Sequence, residues 1–335
     1  MINFTPKIIF FETTSSCNLN CVHCRRSDIS NNSNKDLSTD EIYHIIDSIS
    51  DYAKPMFILS GGEPLVRDDI FDIVNYAQNK GLQIALATNG TLIDEEMALK
   101  IKESGIRRVS VSLDGASAQT HDSIRKIDGA FDRSLKGIEN LKANGISFQL
   151  NFTIIKDNQS EIEDVYKLAI ELKADALHYF LLVPVGCGAE IADSQMLSPQ
   201  ECEEAMNKIY ELSKKEEIFI KPTCAPHYYR IAAQNENLPI QTKGCLAGQS
   251  VCFVSHKGEV FPCGYLPLSS GNLLEKSFKE IWENSEIFNQ LRNPDLLIGK
   301  CGVCEFKQIC GGCRARAYFK SGNFLSEEPY CFYNS

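Results

Sequence analysis

Three cysteines near the start of the chain, in Cys17-Asn18-Leu19-Asn20-Cys21-Val22-His23-Cys24, carry the clearest chemistry in the sequence. Their C-x3-C-x2-C spacing puts three thiolates within reach of three irons of a 4Fe-4S cluster, with no fourth cysteine nearby to close the set. One iron is then open to a substrate or cofactor, whereas a closed cluster mainly carries electrons. The competing use of a C-x2-C element is a structural zinc site, which asks for a fourth Cys or His at matching spacing. His23 lies inside the loop instead. About forty residues on, Phe57-Ile58-Leu59-Ser60 reads as a buried strand running into Gly61-Gly62-Glu63-Pro64. A Gly-Gly pair alone marks a turn; after a strand, and at this distance from the cysteines, the turn is the weaker reading.

The triplet and Gly61-Gly62-Glu63-Pro64 together resemble the radical SAM enzymes. The resemblance implies a 4Fe-4S cluster on Cys17, Cys21 and Cys24, and S-adenosylmethionine (SAM) held by its amino group at Gly61, Gly62, Glu63 and Pro64. Further SAM contacts implied by it are Asn89, Ser112 toward the ribose, Arg125 toward the carboxylate, and Asn151. The plainer alternatives are an Asn-Gly turn at Asn89 and a solvated helical arginine at Arg125.

Eight more cysteines fall in the last ninety or so residues: Cys245, Cys252, Cys263, then Cys301-x2-Cys304-x5-Cys310-x2-Cys313, then Cys331. With Gly258 placed five residues before Cys263, this order resembles the SPASM extension of radical SAM enzymes, although Cys310 and Cys313 are two residues apart where that family has three. By that resemblance Cys245, Cys252, Cys263 and Cys313 hold one auxiliary 4Fe-4S cluster, and Cys301, Cys304, Cys310 and Cys331 a second. A single auxiliary cluster, or a structural zinc site, remains open. Of the leftover thiols, Cys202 reads as a helix residue. Cys187 follows the sixth strand and faces the same mouth as the SAM site; Cys224 is left unassigned.

Thr223-Cys224-Ala225-Pro226-His227-Tyr228-Tyr229-Arg230, Cys310-Gly311-Gly312-Cys313-Arg314-Ala315-Arg316 and Glu327-Glu328-Pro329-Tyr330-Cys331 resemble the radical SAM enzymes of the alternative haem pathway. The nearest likeness implies oxidative decarboxylation of two propionates of iron-coproporphyrin III to vinyl groups, giving haem b. A propionate β C–H is not acidic, so a carbon radical replaces acid-base chemistry, and an auxiliary cluster can take the surplus electron. A flat macrocycle edged with carboxylates asks for aromatic walls and basic anchors. Tyr228, Arg230, Arg314 and Arg316 are the expected substrate contacts, with Cys187 and His227 expected at the reacting edge. An electron donor such as flavodoxin or ferredoxin is implied. Alternatives are an enzyme on sirohaem-derived tetrapyrroles, a peptide-modifying SPASM maturase, and a non-catalytic iron-sulfur electron carrier.

The elements that must carry these residues alternate. An apolar strand over residues 8–12 delivers the cysteine loop, and Ser38 with Glu41 forms a capping box for a helix running to about residue 49. Strands follow at 56–59, 83–87, 109–113, 147–154 and 176–182, with helices between them, including 69–80 and 94–104. Six strand-helix units predict an α/β fold, a partial (β/α)6 TIM-like barrel with its chemistry at the strand C-terminal ends. The expected domains are the barrel at 1–220, a bridge at 221–244 and the cysteine-rich SPASM domain at 245–335. A net charge of −10 argues against nucleic acid or an anionic membrane as the main partner. With no apolar run long enough to span a bilayer and no secretion signal, a cytoplasmic monomer is expected. Fourteen clustered cysteines then read as metal ligands rather than disulfides.

Overall fold

The computed structural model describes residues 4–26, 36–236 and 243–334. The strand-helix alternation is borne out. Strand β1 (Ile8–Glu12) leads into the cysteine loop, and helix α1 (Thr39–Tyr52) starts on the expected box: the Glu41 N–H donates to the Ser38 hydroxyl, and the Ser38 N–H donates to the Glu41 carboxylate. There follow β2 (Met56–Ser60), α2 (Ile70–Asn79), β3 (Gln83–Thr88), α3 (Glu95–Glu103), β4 (Arg108–Ser112), α4 (Ala118–Arg125), α5 (Ala130–Ala143), β5 (Phe148–Ile154), α6 (Ile162–Glu171) and β6 (Ala176–Leu181). Two short helices, α7 (Cys187–Glu190) and α8 (Ala192–Gln195), precede α9 (Pro199–Ser213).

A seventh strand, β7 (Phe219–Thr223), pairs in parallel with β6, so the barrel has one strand more than expected and position 220 lies within it. Pro222 hides this strand in the sequence because proline cannot donate to a central ladder; here β7 is the sheet edge, where proline is tolerated.

The chain then forms α10 (His227–Glu236), β8 (Val251–Val254), β9 (Val260–Phe261), α11 (Phe278–Asn284), α12 (Glu286–Leu291), α13 (Lys300–Val303) and α14 (Arg314–Ser321). β8 joins the same sheet, parallel to β1 with Ile8 opposite Val251, and β9 folds back on it antiparallel. The strand order is β7-β6-β5-β4-β3-β2-β1-β8-β9, an open rather than closed barrel.

One face of the parallel strands packs on the helices through Phe11, Phe57, Leu86, Val111, Phe152 and Tyr179, all buried in the main core. The other face is half-buried, apolar at β1 and β2, where it presents Phe10 and Ile58, and polar across β4 to β7. Ser112, Asn151, His178 and Lys221 lie in register across β4 to β7 and form one row along the barrel lumen. Among the described residues no helix is long and apolar enough to cross a membrane.

Candidate active site and cysteine groups

The cysteine loop after β1 brings Cys17, Cys21 and Cys24 together around Leu19 and Ala130. The Leu19 N–H donates to the Cys17 sulfur at 3.4 Å, and an Arg125 Nη donates to the Cys21 sulfur at 3.5 Å. Burial pushes the Cys17 thiol up to about 11, so a metal must displace the proton for the sulfur to ligate. Three thiols on one loop, beside a guanidinium, suit an anionic cluster.

Behind them, Gly62 N–H donates to the Thr14 carbonyl and Glu63 N–H to the Ser16 carbonyl, both at 2.8 Å. A Cβ at Gly62 would stand 2.1 Å from the Ser16 oxygen, so glycine is what lets the end of β2 touch the cysteine loop. Glu63 is fully buried. It accepts from the Thr88 hydroxyl and the Asn89 N–H, both at 2.8 Å, and from the Leu65 N–H at 3.1 Å. Burial nevertheless lifts its carboxyl to about 7. The Asn89 amide donates to Asn18 at 2.8 Å, tying the β3 end to the residue after Cys17. Pro64 opens a single 3-10 turn that directs the chain away.

Ser112 and Asn151 face each other in register on β4 and β5. Arg125, at the end of α4, is buried and pairs with Asp114 at 2.6 Å, while its Nε has no hydrogen-bond partner among the described residues. Asp114 also meets His23 Nε2 at 3.2 Å and accepts from the Thr153 N–H. Burial raises the Asp114 carboxyl, but Arg125 and His23 outweigh it and hold it well below the usual range. Asp114 escaped the sequence reading, although an acidic residue at a barrel strand end was the signal. So did Glu12, at the end of β1, which binds Arg25 and accepts from His256 Nδ1 at 2.7 Å. Arg25 in turn stacks on Phe253 of β8, 4.1 Å from the ring centre, joining the cysteine loop to the C-terminal region.

Cys187 sits at the rim beside the triplet: its N–H and thiol both donate to the Arg26 carbonyl, at 3.0 and 3.1 Å, and Gly188 N–H donates to the Cys24 carbonyl. His178, further inside, has its basicity lowered to about 3 by burial and by Lys221 and Arg108. Lys221 forms no ion pair among the described residues, and burial lowers its basicity.

The C-terminal thiols form two groups, and none of the chain's cysteines is in a disulfide. Cys301, Cys304, Cys310 and Cys331 line one open cavity. Cys245, Cys263 and Cys313 form the other; charge at Cys263 is opposed by charge at Cys245 and Cys313. The short Cys310–Cys313 gap works because Gly311 and Gly312 both take positive φ, 68° and 60°, a conformation open to glycine that lets the two flanking thiols join different groups. Cys252 does not join either. It lies in β8, opposite Ile9 and fully buried in the main core, where the charged neighbour it feels is Arg292. Tyr265 is half-buried between the two regions, within electrostatic reach of Cys224 and Cys263 on one side and Cys24 on the other.

The expected substrate contacts are also placed differently. Arg316 is 1% exposed; its guanidinium grips Glu328 at 3.0 and 3.2 Å and donates to the Cys224 carbonyl at 2.8 Å. Arg314 donates to the Phe324 and Ser326 carbonyls, at 3.0 and 2.6 Å. Arg230 pairs with Glu203 and Gln234 and covers the Tyr333 ring. These cations have internal partners that the sequence does not reveal. Tyr228 packs edge-on against Tyr210 and donates to Ser213, joining α10 to α9. His227, with both ring nitrogens buried and without hydrogen-bond partners among the described residues, faces the cavity of Cys301 and Cys331 rather than the barrel mouth.

The chain matches the radical SAM superfamily over residues 11–169 and the SPASM iron-sulfur cluster-binding domain over residues 245–314. Among solved structures, anSMEcpe with bound AdoMet superposes with a TM-score of 0.77 at 22% identity, covering 97% of this chain and 94% of that one, which shows the shared fold. The chain is a radical SAM enzyme with a SPASM domain. It is 49% identical over 340 residues to the AdoMet-dependent heme synthase of Methanosarcina barkeri, covering 98% of this chain and 97% of that protein. The AdoMet-dependent heme synthase of Nitratidesulfovibrio vulgaris is 44% identical over 98% and 93%. The chain belongs to the AdoMet-dependent heme synthase family.

Proposed function

We propose that this enzyme converts iron-coproporphyrin III to haem b by oxidatively decarboxylating two propionates to vinyl groups. The observation that carries the reading is full-length kinship with the heme synthases, in a chain whose cysteine triplet opens onto a lumen with a polar row that ends in Lys221. Each propionate gives up a β hydrogen atom, carbon dioxide and one electron. A 4Fe-4S cluster and SAM bound at the triplet supply the electron and the 5′-deoxyadenosyl radical that takes the hydrogen.

The chain's own residues set the geometry. Cys17, Cys21 and Cys24 hold the cluster; Gly61, Gly62, Glu63, Pro64 and Asn89 form the shelf for the SAM amino group. Ser112 and Asn151 face the ribose. Arg125, oriented by Asp114 and with Nε still to be satisfied, receives the SAM carboxylate. Lys221 and His178, on the lumen row, meet the substrate's carboxylates in place of the arginines. Cys187, fixed at the rim by the Arg26 carbonyl, is the candidate catalytic thiol. The surplus electron leaves past Tyr265 toward two auxiliary clusters, the second held by Cys301, Cys304, Cys310 and Cys331. In this reading the enzyme works as a cytoplasmic monomer fed by a flavodoxin or ferredoxin.

Anaerobic turnover with SAM, reductant and iron-coproporphyrin III, followed by mass spectrometry, tests it. Two successive losses of carbon dioxide with two hydrogens are expected. SAM cleavage with the porphyrin left intact would overturn the reading.

A further inference from the structure

We propose that Cys224, not Cys252, is the fourth ligand of the auxiliary cluster held by Cys245, Cys263 and Cys313. The proposal rests on reading that cysteine group as an iron-sulfur site, and it changes which part of the chain completes the site. Cys224 belongs to the loop between β7 and α10, outside the region matched as the SPASM domain.

Three observations place it there. Cys224 and Cys263 pack against the same small apolar cluster, which contains Cys313 with Val183, Leu266, Leu291 and Ala315. Charge at Cys224 is opposed by charge at Cys313, Cys263 and Cys245, the three other members of the group. Cys252 feels none of them and points into the barrel core.

The backbone is set for the role. Cys224 has φ +52°, a left-handed conformation that a side-chain-bearing residue rarely takes without outside constraint. Arg316 supplies a constraint by donating to its carbonyl at 2.8 Å, and the Gly244 position, next to Cys245, packs directly on Pro226. The loop is thus held from both sides of the cysteine group.

The arrangement fits a cluster better than a lone ion. Zinc thiolates need sulfurs about 3.8 Å apart, and among the described residues no three His, Cys, Asp or Glu side chains converge as single-ion ligands. A four-iron cage takes thiols set further apart. With Cys224 in the set, the cluster joins the last barrel strand to the cysteine-rich domain, so its ligand shell spans the substrate-bearing lumen and the electron exit.

The test uses the full chain with Cys17, Cys21 and Cys24 changed to alanine, so that the auxiliary clusters alone report. In that parent, two clusters amount to about eight irons. Cys224→Ser is expected to lose about four of them, or to show a changed EPR spectrum of the reduced protein, while Cys252→Ser keeps the parent's iron, sulfide and spectrum. A Cys224→Ser protein that matches its parent in all three, or a Cys252→Ser protein that loses a cluster, would overturn the proposal. A parent without C-terminal iron would overturn the cluster reading itself, which separates the two failures. If Cys224→Ser does not fold, thiol alkylation of the unmutated protein decides instead. After chelation Cys224 should become reactive together with Cys245, Cys263 and Cys313, with Cys252 protected until denaturation; Cys252 reacting with that group and Cys224 staying silent would be the contrary result.

Discussion

Replacing Gly62 with alanine tests whether the SAM shelf depends on the close approach of β2 to the cysteine loop. The added Cβ would stand 2.1 Å from the Ser16 carbonyl oxygen and 2.6 Å from its carbon, with Arg26 Nη1 at 2.5 Å. The arginine end can swing aside, but the Ser16 backbone, one residue before Cys17, must retreat by about 0.9 Å to restore even a 3.0 Å contact. That shift breaks the 2.8 Å bond from Glu63 N–H to Ser16, worth about 0.5–1.5 kcal/mol, and adds an overpacking cost of about 1–3 kcal/mol. Displacing a reacting group by roughly 1 Å costs about a hundredfold in rate. Gly61→Ala is the graded control, because its Cβ meets the Thr14 oxygen at 2.7 Å and needs a much smaller adjustment. The assay is 5′-deoxyadenosine formation under strong reductant, with iron content and SAM affinity measured on the same preparations. The expected order of activity is wild type, then Gly61→Ala, then Gly62→Ala lowest. A Gly62→Ala enzyme with wild-type rate and affinity, or one less affected than Gly61→Ala, would refute the reasoning.

Lys221→Met keeps the stem of the side chain and removes its charge; it should weaken iron-coproporphyrin III binding by about five- to hundredfold, corresponding to about 1–3 kcal/mol, while uncoupled SAM cleavage persists, and unchanged affinity in a porphyrin titration would remove Lys221 from the site. Asp114→Asn strips Arg125 and His23 of their shared carboxylate and should cost about 3 kcal/mol or more in denaturant unfolding of the cluster-free protein; a loss under about 1 kcal/mol would show the pair to be dispensable. Burial raises the Glu12 carboxyl, but Arg25 and His256 more than offset it and draw it from 4.5 to about 2. The resulting stabilisation, about 3 kcal/mol, is complete above pH 4.5 and lost as pH falls toward 2. In the cluster-free protein Glu12→Gln should flatten the stability profile across that window, and an unaltered slope would argue against the junction.

Strands β1 to β6 were legible because each is a short apolar run bounded by turn residues, and the open triplet because its spacing admits few other uses. Ser38 and Glu41 marked the start of α1 through purely local chemistry. What stayed hidden depends on partners distant in the chain. Arg316 reads as an exposed cation until Glu328 and the Cys224 carbonyl are seen around it. Cys252 sits at a plausible ligand spacing, yet the alternation of β8 turns it into the core while Phe253 takes the Arg25 guanidinium. Cys224 could not be grouped with Cys245 by spacing, since it lies before the cysteine-rich stretch. Asp114 and Glu12, both at strand ends, look ordinary in sequence; the charges that surround them come from three different segments.

Strand β8 fills a place beside β1 although more than two hundred residues separate them, with Ile8 opposite Val251. During synthesis at roughly 5–20 residues per second, β1 waits on the order of ten to fifty seconds before that neighbour emerges from the ribosome. Its unpaired edge, next to the loop that must take iron, is open to other strands throughout that interval. A barrel fragment produced without the last third of the chain would keep that edge permanently, and aggregation rather than a soluble half-enzyme is the expected fate.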